Sequence, residues 1–364
     1  MRQWERQKTF ILLILVLTLL FISTGCNTTR MEKYSYEFMG TFDTMIQFLG
    51  YAQNRDMFME MVQKGQKRFE QLHQLFDIYH DYPGMNNVKT INDKAGLEPV
   101  PVQQELIDIL SFSIEWYEKT GGAVNIALGP VLSIWHDYRD EGLADPENAR
   151  VPEMELLQTA YAKSDIHKII IDRDHGTVFL AEEGMKLDLG SVAKGYATEL
   201  VARELMEQGY DSFAISGGGN VRVAGSPKDG KRPKWSIGIQ DPDGNELIPD
   251  RDILDAAYVT DTSVVTSGDY QRYYVVNDKR MHHLIDPNTL MPAEHYRAVT
   301  VITKDSGVAD FLSSTLFLLP YEESLALAQS LEGVEALWVM PDREIRATEG
   351  MKAALKNLGG SKNK

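Results

Sequence analysis

The spacing of apolar residues predicts a chain that mixes helices and strands. Apolar positions three or four residues apart predict helices over residues 52–79, 102–119, 192–207, 308–319 and 322–330. Short apolar runs near Gly, Asp or Asn predict strands at 36–38, 44–49, 169–171, 177–180, 213–216, 221–224, 235–239, 257–260, 264–266, 273–276 and 298–302. Residues 186–189 are also expected to form a strand, which would complete a β-α-β crossover. Because helices and strands do not alternate strictly, the predicted fold class is α+β, with mixed, largely antiparallel sheets and packed helices.

The N-terminal segment resembles a bacterial lipoprotein signal. Basic residues precede an apolar run over Phe10–Ile22, which is shorter than the roughly 20 residues of a membrane-spanning helix. Small residues then lead to Cys26, the single cysteine of the chain. Residues 1–25 are therefore expected to be a signal peptide, with Cys26 lipidated and the protein exported and anchored to the outer face of the bacterial cell membrane. An uncleaved anchor with an incidental cysteine is the alternative.

The remaining chain has the composition of one globular unit. Residues 26–34 are expected to form a polar tether, and residues 356–364 a flexible tail. Between them, residues 35–355 contain no linker and no internal repeat. The apolar fraction of 43% and the charged fraction of 25% exclude disordered and fibrous classes. The net charge of −16 argues against a nucleic-acid partner, because such binding needs a basic face. One cysteine excludes a disulfide framework and a Cys-rich zinc site.

Two glycine-containing clusters suit a phosphorylated ligand. In KLDLGSVAKGYATE (186–199), a predicted helix start and Lys194 offer N–H groups and a charge for phosphate oxygens. Gly195 costs about 1 kcal/mol of helix stability, which indicates close approach of a ligand or another backbone. A helix start with a solvated lysine is the alternative. The run of three glycines at 217–219 either admits a ligand or forms a tight turn between strands.

Two further clusters lie in the last third of the chain. A histidine can accept a proton from a hydroxyl, but neighbours on a strand point to opposite faces, so only one of His282 and His283 can easily enter a given site. Asp310 and Ser314 are four residues apart on a predicted helix, and they offer the oxygen ligands that Mg²⁺ prefers. The alternatives are a structural histidine with an Asp-Pro turn, and an Asp that offsets the helix dipole.

Seven motifs in order along the chain resemble the ApbE family of FAD:protein FMN transferases. They are MGTFDT (39–44), GGAVNIALGP (121–130), KLDLGSVAKGYA (186–197), SGGGNVRVAG (216–225), TSGDYQRYY (266–274), HHLIDPNT (282–289) and VADFLSSTLF (308–317). The resemblance covers about residues 35–340 and implies a single catalytic unit. It also implies FAD as the donor, Mg²⁺ as the cofactor, transfer of FMN to a threonine hydroxyl of a partner protein, and release of AMP.

The resemblance also implies roles for individual residues. Metal ligands are implied at Asp310, Ser314 and, through a main-chain oxygen, Ser191. Contacts with FAD are implied at Met39, Tyr79, Asn125, Lys194 and Leu284. His283 is implied as the base for the acceptor hydroxyl, and Asp310 as essential to transfer. Asn125 and Ala127 stand where the family commonly has Asp and Thr, so FAD binding is expected to survive with altered contacts.

Two other functions remain open at this point. With water as the nucleophile, the same site would be an FAD pyrophosphatase that gives FMN and AMP. A flavin-binding lipoprotein without catalysis is the second. For the transferase, the expected partners are FAD, the membrane through a lipid anchor, and a flavin-accepting protein with a target Thr. A membrane redox-complex subunit or an extracellular flavin carrier is the expected kind of acceptor.

Overall fold

The computed structural model describes Trp4, residues 31–244 and residues 252–357. The predicted lipidation residue Cys26, tail residues 358–364 and, apart from Trp4, the expected signal peptide therefore lie outside the described residues. The first strand begins at Glu32, inside the stretch expected to be a tether. Across the described residues, no helix is both long enough and apolar enough to cross a membrane.

Helices and antiparallel strands are interspersed, as predicted for an α+β fold. The helices are α1 (Arg55–Phe76), α2 (Val88–Asp93), α3 (Gln104–Lys119), α4 (Gly129–Ala144), α5 (Met154–Tyr161), α6 (Ala193–Glu207), α7 (Ser306–Leu318), α8 (Tyr321–Ser330) and α9 (Glu349–Ala354). The strands are β1 (Glu32–Thr41), β2 (Thr44–Ala52), β3 (Val100–Pro101), β4 (Ile169–Asp172), β5 (Thr177–Leu180), β6 (Phe213–Gly217), β7 (Asn220–Ala224), β8 (Trp235–Gln240), β9 (Ile253–Val259), β10 (Ser263–Gly268), β11 (Tyr273–Val276), β12 (Lys279–His282), β13 (Ala298–Thr303), β14 (Glu335–Val339) and β15 (Ile345–Ala347).

A long antiparallel sheet forms the centre of the molecule. Its eight strands run in the order β1-β2-β6-β7-β10-β13-β14-β15, and every neighbouring pair is antiparallel. The turn between β6 and β7 is made by Gly218 and Gly219, whose φ angles are 59° and 93°. Glycine adopts this left-handed backbone without steric cost. The glycine run is therefore a tight turn between strands, one of its two predicted roles.

The two faces of this sheet pack against different layers. Val265 belongs to the large core beneath α1, α6 and α7, whereas its neighbour Val264 belongs to the core on the opposite face. Successive side chains on a strand alternate in this way. Phe48 is among the fully buried residues of the large core. The opposite face is covered by the β8–β9 hairpin and α9, through residues such as Trp235 and Met351.

A smaller apolar cluster joins α4 and α5 to the β11–β12 hairpin. Trp135 of α4 is buried, and its indole N–H donates to the carbonyl of Leu290 at 3.0 Å. Tyr274 of β11 is also buried, and its hydroxyl donates to the carbonyl of Arg150 at 2.8 Å. These two hydrogen bonds join α4 to the loop after β12 and join β11 to the loop before α5, and both residues help line the cavity that contains His283.

The prediction of a strand at 186–189 is wrong, and the predicted β-α-β crossover is therefore wrong as well. Lys186 makes one isolated parallel bridge, with Leu128. The backbone of Leu187 bonds to the side chain of Asn92, which accepts from its N–H at 2.7 Å and donates to its carbonyl at 3.0 Å. Because a side chain satisfies these backbone groups, the segment is buried without joining a sheet. It enters α6 as an extended loop.

Candidate active site

Helices α6 and α7 meet so closely that no side chain fits between them at Gly195. A Cβ atom at Gly195 would lie 2.3 Å from the Cβ of Asp310 and 2.3 Å from the carbonyl oxygen of Ser306. The backbone N–H of Gly195 donates to Oδ2 of Asp310 at 2.8 Å. Gly195 therefore permits the close approach of the α7 backbone. The sequence had indicated the close approach of either a ligand or another backbone, and the second of these is observed.

Asp310 is a buried carboxylate with several partners that favour its charged form. The residue is 4% exposed. Burial raises the pKa of Asp310, whereas Lys194, the N–H of Gly195 and the side chain of Asn220 oppose that increase. Burial removes most of the water that would compete for the carboxylate, and a bound cation would oppose the effect of burial and keep Asp310 ionised.

Asp305, rather than Asp310, caps the N-terminus of α7. The side chain of Asp305 accepts from the backbone N–H of Val308 at 3.0 Å, and the helix begins at Ser306. The first turn contains no acidic residue. Asp310 lies beyond that turn with its carboxylate directed at α6, so compensation of the helix dipole does not explain its presence.

Buried hydroxyl groups cluster one turn beyond Asp310. The Oγ atom of Ser267 in β10 lies 2.8 Å from Oγ of Ser313 and 3.3 Å from Oγ of Ser314. Asp310, Ser314 and the main-chain oxygen of Ser191 would offer a cation oxygen donors alone, which suits Mg²⁺. Among the described residues, no group of three or more His, Cys, Asp or Glu could hold a metal ion. A magnesium ion here would therefore need further oxygens from a bound phosphate.

His282 is the last residue of β12 and His283 follows it, so the predicted alternation along a strand does not apply to this pair, and both histidines line one cavity. His282 is buried and donates from Nε2 to the carbonyl of Ala293 at 2.9 Å. His283 lines a cavity, and within the described chain its buried Nδ1 atom has no hydrogen-bond partner. Burial, Lys194, His282 and Arg272 lower the pKa of His283 to about 3. The imidazole of His283 is therefore neutral near pH 7.

The first turn of α6 presents Lys194 next to this histidine and the buried carboxylate. Lys194 affects the pKa values of both Asp310 and His283, so its charge lies near both. Its Nζ atom donates to the carbonyl of Gly190 at 3.2 Å. The N–H of Gly190 donates to Oδ1 of Asp188 at 2.8 Å, which shapes the turn that also contains Ser191.

Tyr79 is held in the loop after α1 by the carboxylate of Asp77. This carboxylate accepts from the backbone N–H groups of Tyr79 at 2.6 Å and His80 at 3.3 Å, and from the hydroxyl of Tyr82 at 2.7 Å. Although burial raises the pKa of Asp77, these hydrogen bonds bring it below its ordinary value. Tyr79 itself is 56% exposed, and its hydroxyl lies 3.2 Å from Nδ1 of His136.

The other three residues predicted to contact FAD have different surroundings. Met39 is 66% exposed near the end of β1, and Leu284 is buried. Both polar groups of Asn125 bond to backbone: Nδ2 donates to the carbonyl of Ser164 at 2.8 Å, and Oδ1 accepts from the N–H of Ala127 at 2.8 Å. Asn125 therefore fixes its own loop, whatever contact it makes with a ligand.

The structure brings four of the predicted site residues into one region. Asp310, Lys194 and His283 are close enough for Lys194 to alter the pKa values of the other two. Tyr79 reaches the same region through His136, which lines one cavity with His283. A buried carboxylate, a cation and a neutral imidazole thus come from separate elements of the fold.

Comparison with known proteins identifies the family. Residues 39–338 match the model of the ApbE family. The chain belongs to the ApbE family. The FAD:protein FMN transferase of Treponema pallidum (strain Nichols) is 34% identical over 274 residues, which are 72% of this chain and 72% of the relative. The FAD:protein FMN transferase of Klebsiella pneumoniae (strain 342) is 30% identical over 277 residues, covering 75% and 82% respectively.

Solved structures of ApbE proteins share this fold. The crystal structure of the ApbE protein from Thermotoga maritima superposes with a TM-score of 0.76 at 27% identity. The superposition covers 89% of this chain and 99% of the Thermotoga maritima chain. The match therefore includes both the central sheet and the helices that carry the candidate site.

Sequence reasoning missed three polar residues at this ApbE site. Asn220 affects the pKa of Asp310, although within the described chain its buried Nδ2 has no hydrogen-bond partner. Asp188 raises the pKa values of Tyr79 and His136, so its charge lies near both. Asp188 and Asn220 stand inside two of the recognised motifs, which could have identified them. His136 lies outside those motifs and becomes apparent only in the fold.

Proposed function

We propose that this flavin transferase of the ApbE family moves FMN from FAD to a threonine hydroxyl of a partner protein, with Mg²⁺ as cofactor and AMP as the leaving product. The observation that carries the proposal is the convergence of Asp310, Lys194 and His283 beside the contact between α6 and α7. These groups supply a metal ligand, a phosphate partner and a proton acceptor, which together are the requirements of phosphoryl transfer.

The charged groups are proposed to bind the pyrophosphate of FAD. Lys194 lies at the start of α6, where a helix N-terminus and an ammonium group both attract phosphate oxygens. Asp310, Ser314 and the main-chain oxygen of Ser191 would hold Mg²⁺. When bound, this ion neutralises negative charge that develops on the pyrophosphate oxygens. The remaining proposed contacts with FAD are Met39, Tyr79, Asn125 and Leu284.

His283 is proposed to accept the proton of the acceptor hydroxyl. The hydroxyl oxygen forms a bond to the FMN-side phosphorus, the bond from that phosphorus to AMP breaks, and AMP leaves. Burial and the nearby cations Lys194 and Arg272 keep the pKa of His283 at about 3 without substrate. Because FAD brings negative charge, its binding would oppose those cations and raise the pKa toward the range of an effective base.

The dependence of AMP release on an acceptor tests this function. With FAD and Mg²⁺, we expect AMP to form only when a flavin-carrier protein with an accessible target Thr is present. The amount of AMP should equal the amount of flavin bound to the carrier. Rapid release of FMN and AMP without the carrier would identify a pyrophosphatase instead. FAD that stays intact with the carrier present would identify a non-catalytic flavin-binding protein.

We also propose that the protein is exported and held at the outer face of the bacterial cell membrane by a lipid on Cys26. The pattern of residues 1–26 supports this location, and such a location suits a membrane redox subunit or an extracellular flavin carrier as the acceptor. Residues 26–364 carry 34 basic and 52 acidic residues, so a basic surface is not the proposed anchor. Cys26→Ser should move the protein out of the membrane fraction. Retention of that variant in the membrane would favour an uncleaved anchor.

A further inference from the structure

A hydrogen bond near His283 joins Tyr79, one of the proposed FAD contacts, to a histidine that has no role in the proposed reaction. The hydroxyl of Tyr79, in the loop after α1, is 3.2 Å from Nδ1 of His136 on α4. These residues are 57 positions apart in the chain, and their contact joins two separate parts of the fold. His136 is only partly buried, so some of its surface remains available to a ligand.

Both partners of this pair are held in place by the surrounding structure. Asp77 fixes the backbone of Tyr79 through a hydrogen bond of 2.6 Å to its N–H. The residue before His136 is Trp135, which is buried and bonded to the carbonyl of Leu290. A side chain presented on such a rigid base loses little further entropy when it contacts a ligand.

His136 and His283 line the same cavity. The cavity is partly open to solvent and holds about 10 Å³, which is room for about one water-sized group, and Arg139 and the buried Tyr274 also line it. This volume lies far below the roughly 300–1,000 Å³ of typical small-molecule sites. The cavity would therefore receive only a single polar group at the edge of a larger bound molecule. Because His283 is the proposed base at the FMN-side phosphorus, that group would belong to the FMN half of FAD.

The protonation of the pair leaves one donor free. Desolvation of the Tyr79 hydroxyl and the nearby carboxylate of Asp188 raise the pKa of Tyr79 to about 12, although the residue as a whole is 56% exposed, so the hydroxyl keeps its proton near pH 7. Burial also lowers the pKa of His136, with Arg139 and Arg272 adding to the decrease and Asp188 opposing it. A neutral imidazole has one donor and one acceptor nitrogen. When the Tyr79 hydroxyl donates to Nδ1, the hydrogen of His136 must lie on Nε2.

We propose that His136 is a further substrate-contacting residue, which donates a hydrogen bond from Nε2 to an oxygen atom in the FMN half of FAD. Tyr79 acts as a positioning residue in this arrangement, in which its hydroxyl donates to Nδ1 and so leaves the hydrogen of His136 on Nε2. The inference rests on the proposed function in taking FAD as the ligand. It adds a specificity residue that lies outside the recognised motifs.

The test compares two substitutions at one position by titration with FAD in the presence of Mg²⁺, followed by flavin fluorescence. His136→Phe keeps an aromatic ring and removes the donor, so we expect the Kd for FAD to rise about threefold to tenfold, the effect of one lost hydrogen bond. His136→Gln places an amide N–H₂ near the position of Nε2, and its Kd should stay within about twofold of the parent value. His175→Phe, at an exposed histidine far along the chain, is the matched control.

Two further measurements locate the contact. ADP carries only the adenine half, so its competition with FAD should give the same inhibition constant for ADP in the parent and in His136→Phe. Tyr79→Phe should weaken FAD binding in the parent and have no additional effect in His136→Phe, because the hydroxyl acts through the histidine. The contact would be refuted by unchanged FAD binding in His136→Phe, by equal losses in both His136 variants, or by equal weakening of ADP.

A transfer assay on the same samples separates this inference from the proposed function. If FMN transfer is normal while FAD affinity is insensitive to His136, the inference fails and the function stands. If FAD affinity depends on His136 as described but the parent protein transfers no FMN, the function fails and the contact stands. Absence of FAD binding by the parent protein would overturn both.

Discussion

The backbone N–H of Gly195 donates a 2.8 Å hydrogen bond to the carboxylate of Asp310 across the contact between α6 and α7. The same glycine leaves no room for a side chain at that contact. The approach of the two helices therefore sets the position of the carboxylate that is proposed to bind the metal. Stability and activity are coupled here through one pair of residues.

Gly195→Ala should be destabilising. Its added methyl group would clash with Asp310 and with the carbonyl of Ser306, so the helices must separate, at a cost of about 1–3 kcal/mol. Urea unfolding measures this cost, and FMN transfer should fall with it because Asp310 moves. Gly238→Ala is the matched control, since a Cβ there meets Ile253 at an ordinary contact distance of 3.4 Å. Equal stability of the two variants would contradict this packing argument.

Asp310→Asn should abolish FMN transfer while leaving the fold intact. The amide keeps an oxygen for the N–H of Gly195 and nearly the same volume, but it lacks the charge that a hard cation requires. The opposite outcome is expected for Asp305→Ala, which removes the cap of α7 and should cost about 1 kcal/mol with transfer retained. Transfer by Asp310→Asn near the parent rate with Mg²⁺ would exclude Asp310 from the mechanism.

His283 should make the protein less stable in mild acid. Its pKa is about 3 in the folded protein and near 6.5 as a free side chain, so between those values the unfolded state binds a proton that the folded state does not. Stability must therefore decrease as the pH falls through 6.5. Urea unfolding at pH 7.5 and pH 5 should show a smaller decrease for His283→Gln than for the parent. An equal decrease in both proteins would show that this histidine does not contribute.

Asn125→Asp, which introduces the residue common in the family, should destabilise this protein. Nδ2 of Asn125 donates to the carbonyl of Ser164, and a carboxylate there would face another acceptor. The expected cost is about 1–3 kcal/mol, measured by urea unfolding at neutral pH. Asn86→Asp is the control, because its similar bond to the carbonyl of Pro101 is exposed and water can replace it. A stabilised Asn125→Asp protein would contradict the prediction.

Local patterns predicted much of the fold and part of the site. Helical spacing placed Asp310 and Ser314 on one helix face. The expected alternation of His282 and His283 does not apply, because β12 ends at His282 and both histidines line one cavity. The stretch 186–189 misled the prediction because its apolar residues alternate as in a strand. Its backbone partner is the side chain of Asn92, 95 positions away from Leu187. Contacts at such separations, like the one between Tyr79 and His136, depend on the tertiary structure and leave no periodic signal.

The mass of a flavin acceptor tests the central claim most directly. A flavin-carrier protein with one target Thr would be incubated with this protein, FAD and Mg²⁺, then measured by intact-mass spectrometry. A parallel sample would contain the same carrier with Val at the target position, and another would contain a chelator in place of Mg²⁺. We predict a mass increase equal to one FMN group on the Thr carrier alone, and none without Mg²⁺. An unmodified Thr carrier together with free FMN and AMP would contradict the transferase assignment.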